Sequence, residues 1–69
     1  MNDNRKQTET PEVELEVEWL AESSKAVLVE ADFGQVWVPK SLIIHSTSKK
    51  KGPCTLTIPE WFANKSGML

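Results

Sequence analysis

The clearest chemical patterning in the sequence lies in four glutamates. Glu12, Glu14, Glu16 and Glu18 alternate with Val13, Leu15, Val17 and Trp19. A period of two puts every carboxylate on one face of a strand and every apolar side chain on the other. Wound as a helix, the same residues would scatter both classes around the cylinder. The pattern therefore points to a strand, in spite of glutamate's modest strand propensity. Carboxylates at alternate strand positions stand about 7 Å apart, too far for one metal ion without ligands from elsewhere. They can instead mimic a line of phosphates and occupy a basic nucleic-acid groove on a partner protein. The plain alternative is a solvated face that also guards an edge against aggregation.

A second set is basic and aromatic. Lys49, Lys50 and Lys51, with Lys40, can contact phosphate, and Trp37 can stack a base. Against that reading stands the charge balance, a net −2 that conceals an asymmetry. Residues 1–32 carry nine acids against Arg5, Lys6 and Lys25, a balance of −6, while residues 33–69 carry Glu60 against five lysines, a balance of +4. Folding can interleave the two halves, and a lysine run on a loop is ordinarily just solvated.

Catalytic chemistry finds little to work with. His45 and Cys54 are the single histidine and single cysteine, so they alone could form a Cys–His pair. No third group or oxyanion hole accompanies them, and a lone cysteine usually serves as a small hydrophobe. His45 lacks a second soft ligand for a metal. One cysteine excludes an intrachain disulfide and a cysteine zinc cluster. Asp32-Phe33-Gly34 resembles the kinase metal-binding triplet, but nothing else of that enzyme is present and a turn accounts for it. With three glycines in the chain there is no phosphate loop. The expectation is a non-enzyme with neither cofactor nor metal.

The elements that must position these residues follow from the same patterning. Sixty-nine residues make one domain at most, with little room for both a core and a cleft. Residues 1–11 are polar and read as a flexible tail; residues 12–69 form the domain. After the Glu-rich strand, Glu22–Lys25 is a polar break. Ala26–Glu30 reads as a buried strand with apolar residues on both faces. Gly34 supplies the positive φ of a turn, and Gln35–Val38 returns as the other arm of a hairpin. Pro39 ends that strand and starts a single helical turn through Leu42. Residues 46–53 are a polar loop, and Cys54–Ile58 alternates again as the last strand. Pro59 and Glu60 suit the start of a short helix, and Gly67 can cap its end. Ile58, Trp61, Phe62 and Lys65 are spaced to share one side of that helix. The fold class expected is mainly β: a small antiparallel barrel or curled sheet of four to five strands with a short C-terminal helix, the strand at 26–30 lying centrally.

The segments Lys25–Val29, Val36-Trp37-Val38-Pro39-Lys40-Ser41-Leu42-Ile43 and Ile58-Pro59-Glu60-Trp61-Phe62-Ala63 together resemble a group of small phage and prophage proteins. In that group an apolar-Trp-apolar-Pro-Lys-Ser segment recurs, followed by Pro-Glu-Trp near the C-terminus. The resemblance spans roughly residues 19–67. Trp37, Pro39 and Trp61 carry it as fold determinants, so it implies architecture and context rather than chemistry. Small phage proteins of this kind often act on replication or recombination, or inhibit host defences such as CRISPR effectors.

Two functions are therefore expected. One is a phage-type interaction protein that binds a host protein through Glu12, Glu14, Glu16 and Glu18, in the manner of an inhibitor of a nucleic-acid-handling or defence complex. The other is a small nucleic-acid-binding barrel using Trp37, Lys40, Lys49, Lys50 and Lys51. A homodimer that completes a small core is a third arrangement. The absence of an apolar span or a secretory h-region points to the cytoplasm, without membrane partners.

Overall fold

The computed structural model describes residues 11–69. The expected tail lies outside the described residues except for Pro11. The elements are β1 (Glu12–Glu22), β2 (Ala26–Ala31), β3 (Gly34–Pro39), a 3-10 turn (Lys40–Leu42), β4 (His45–Ser46), β5 (Gly52–Pro59) and α1 (Glu60–Lys65). The strands form one antiparallel sheet in the order β3-β2-β1-β5-β4. The sheet stays open at β3 and β4 and does not close into a barrel. The central strand is β1; Ala26–Ala31 is interior but displaced by one place from the position expected.

Alternation in the sequence becomes the two faces of this sheet. Val17 and Trp19 are buried, Val13 and Leu15 pack partly against the core, and Glu12, Glu14, Glu16 and Glu18 are exposed. From β2, β3 and β5 the inner face receives Val27, Val29, Val38, Leu56 and Ile58, all with no exposed surface. Register confirms the layering, since Trp19 pairs with Val29 and Val29 with Val36. Leu15 pairs with Leu56 and Val13 with Ile58. Such cross-strand apolar pairs are the unit by which a sheet of this size is stabilised.

The hairpin β2–β3 closes through Asp32-Phe33, with Gly34 at φ 97° as its pattern requires. Pro39 closes β3, and the Lys40 N–H then donates to the Lys25 carbonyl at 2.8 Å, tying the 3-10 turn to the β1–β2 loop. The last strand begins two residues earlier than the alternation suggested, at Gly52, whose φ of 125° turns the lysine loop into it.

Helix α1 departs from its expected face. Pro59 is the residue before the first helical position, still extended at ψ 140°. Ala63 is the residue fully buried against the sheet, Phe62 packs partly, and Trp61 is half exposed, edge-on to Phe62. Ile58 belongs to the strand and cannot set the helical face. A short helix lies closest to the sheet over its smallest side chain, which leaves the bulky Trp61 to one side.

Candidate functional site

The outer face of the sheet is built by register. Glu18, flanked by the buried Val17 and Trp19, faces outward, and its neighbours across the ladders face the same way. The row reads Gln35, Glu30, Glu18, Pro53 from β3 to β5. A second row holds Glu14, Thr57 and His45, and Glu16 stands beside Thr55. The four expected glutamates thus share one face, and Glu30 joins them from β2. Among the described residues no lysine pairs with any of these carboxylates.

Sequence reasoning missed Glu30. Its strand, Ala-Val-Leu-Val-Glu-Ala, is apolar on both sides, so the sequence alone does not say which face Glu30 takes. The register with Glu18 decides it. Asp32, in the following turn, lines the same concavity as Glu16, Glu18 and Glu30, a hollow of about 550 Å³ that also touches Thr47 and Thr55.

Glu22 would continue the acidic row if the strand ran on regularly. It does not, because the β1–β2 register shifts by one residue between Trp19 and Ala21. This β-bulge at Leu20 brings Glu22 opposite the buried Val27, on the inner side. There it pairs with Lys40, Nζ to Oε2 at 2.5 Å. The acidic face therefore ends at Glu18, and Lys40 is held on the other side of the sheet by Glu22.

The basic and aromatic set is not gathered into one place. Trp37 is half exposed on the outer face, opposite Leu28. Lys40 and Lys49 instead line a smaller hollow of about 250 Å³ with Trp19, Glu22, Val27, Ile43 and Ser46. Lys50 and Lys51 are exposed on the β4–β5 loop. The tryptophan on the outer face and the lysines bordering the inner side thus lie on different sides of the sheet.

His45 and Cys54 are also apart. His45 pairs with Thr57 and is exposed, whereas Cys54 lies three residues along β5 on the inner face and is buried. Burial, and after it the charge of Glu18, raise the Cys54 thiol above its ordinary value of 9.0. A buried thiol that holds its proton more tightly than usual packs as a small hydrophobe. Among the described residues no cluster of histidine, cysteine and carboxylates has metal-binding geometry. No helix of the described residues is long and apolar enough to cross a membrane. The chain matches no family model, no curated protein and no solved structure.

Proposed function

We propose that this chain is a non-enzymatic interaction protein that binds the basic surface of a partner protein through the outer face of its sheet. The observation that supports this is the segregation of charge: Glu12, Glu14, Glu16, Glu18 and Glu30 share one face, while the bulge at Leu20 diverts Glu22 to the other, where it pairs with Lys40. A rigid row of like charges is costly to the fold and is useful where it meets opposite charge. In the phage context that the resemblance implies, the partner is a host protein whose basic groove ordinarily holds nucleic acid. Filling that groove inhibits it.

The test is affinity capture from a host lysate with mass spectrometry, beside a variant carrying Glu12→Lys, Glu14→Lys, Glu16→Lys and Glu18→Lys. The wild-type chain is expected to retain nucleic-acid-handling proteins in a salt-sensitive manner, and the variant to lose them. Equal capture by both chains would remove the acidic face from the mechanism.

A further inference from the structure

The central strand is paired on both sides for only part of its length. Residues Glu12 to Trp19 have partners on β5, but partners on β2 begin at Glu18. From Glu12 to Val17, β1 is therefore a strand edge among the described residues, although it sits in the middle of the sheet order.

The hydrogen-bond phase of that edge is fixed. The Glu60 N–H donates to the Pro11 carbonyl at 2.9 Å, which makes residues 11 and 60 a bonded pair. Alternation of bonded and non-bonded pairs then sends the backbone groups of Val13, Leu15 and Val17 to β5. The β4 side of β5 agrees, because the carbonyls of Thr55 and Thr57 are taken by Thr47 and Ile44. Hence the N–H and C=O groups of Glu12, Glu14 and Glu16 point to the open side. The residues that offer unpaired backbone groups are those whose side chains carry the charge.

We infer that this edge accepts an extended peptide segment of the partner, paired antiparallel, with lysine or arginine at alternate positions. The inference deepens the function proposed above and rests on it. Each basic residue would lie directly opposite Glu12, Glu14 or Glu16, exchanging both backbone bonds with it while its side chain meets the carboxylate. The intervening side chains would cover Val13 and Leu15, which are only partly buried on the inner side. Where the edge ends and β2 begins, the concavity lined by Glu16, Glu18, Glu30 and Asp32 is open to one more basic side chain.

A second copy of the chain does not fit this edge. Antiparallel self-pairing that keeps the apolar faces together sets Glu14 against Glu14 and Glu12 against Glu16. Like charges directly opposite are destabilising. A one-residue slip avoids this only by setting glutamate against the apolar residues. The alternation thus repels itself and favours a basic strand.

The probe is a synthetic peptide alternating lysine and valine, about eight residues long to match a strand of ordinary length. Two isomers separate strand pairing from plain charge attraction, one N-methylated at the lysines and one at the valines. Both keep the full charge, but only the first loses the N–H groups that would face β1. The peptide is expected to protect the Glu14 and Glu16 amides of the intact chain from hydrogen exchange. Methylation at the lysines is expected to weaken binding by about tenfold or more, as loss of paired hydrogen bonds implies, and methylation at the valines to weaken it far less. A Glu14→Pro variant, which removes one edge N–H together with the carboxylate, is expected to bind the peptide more weakly than Glu14→Gln, which removes the carboxylate charge alone. Equal binding of the two isomers would overturn the edge pairing while leaving an acidic binding face intact. Lysate capture indifferent to the four Glu→Lys changes would instead overturn the face itself.

Discussion

Glu18 and Glu30 stand directly opposite each other across the β1–β2 ladder, both exposed on the outer face. Like charges in that position cost a sheet stability. Replacing one by its opposite, Glu30→Lys, is expected to raise stability by about 0.5 kcal/mol at low salt, read as a higher urea midpoint. The gain should shrink as salt screens the pair. The same variant is expected to bind its partner more weakly. A change that stabilises the fold and impairs binding identifies the repulsion as a cost retained for recognition. A variant neutral in both measurements would show that the two carboxylates are merely solvated.

Gly67 ends α1 in a conformation other residues resist. Its φ is 76°, and the Met68 N–H reaches back to the Ala63 carbonyl at 2.8 Å while the Gly67 N–H donates to Asn64. This is the Schellman arrangement, and the accompanying apolar contact is supplied by Met68 and Ala63, both buried. A Cβ at Gly67 would meet nothing within 4 Å. The cost of Gly67→Ala is therefore conformational alone, about 1 kcal/mol. Gly67→Asn is expected to cost less, because asparagine tolerates the left-handed region. Chemical denaturation of the two variants measures the difference.

What was legible in the sequence is what burial writes into a period of two. The faces of β1, the hairpin around Gly34 and the terminal helix are all visible there. The bulge at Leu20 is not, because Trp19-Leu20-Ala21-Glu22 contains no glycine or proline to mark it. That single extra residue decides that Glu22 leaves the acidic row and meets Lys40. The open edge of β1 was equally hidden, since it depends on where β2 stops pairing rather than on the composition of β1. Glu30 reached the acidic outer face for the same reason. Local alternation assigns faces, whereas register between distant segments assembles the site.

Leu56 tests the core against the surface. It is fully buried in β5, paired with Leu15 on one side and Ser46 on the other. Leu56→Ala is expected to cost about 3 kcal/mol in lost transfer energy and residual cavity. A domain of this length has a total stability of only about 3–10 kcal/mol, so the variant should lose about a third or more of its stability and melt at a clearly lower temperature. Leu69, 59% exposed at the chain end, gives the contrast: Leu69→Ser is expected to change stability by about 0.5 kcal/mol or less. Circular dichroism melts of the pair check both values.

Cys54 gives the fold a dependence on alkaline pH. Its thiol is raised above the ordinary 9.0, first by burial and then by the Glu18 carboxylate. The folded state thus holds the proton more tightly than the unfolded chain does. The stability that this contributes is fully present below the unfolded pKa and is lost as pH climbs through the folded one. The stability difference between wild type and Cys54→Ala is expected to be constant through neutral pH and to shift against the wild type above about pH 9. Urea titrations of both chains from neutral to pH 10 measure this, with the variant cancelling every other titrating group. Iodoacetamide should label Cys54 slowly in the native chain at neutral pH and rapidly once urea unfolds it. Rapid native labelling would place the thiol in solvent and contradict its position inside the sheet.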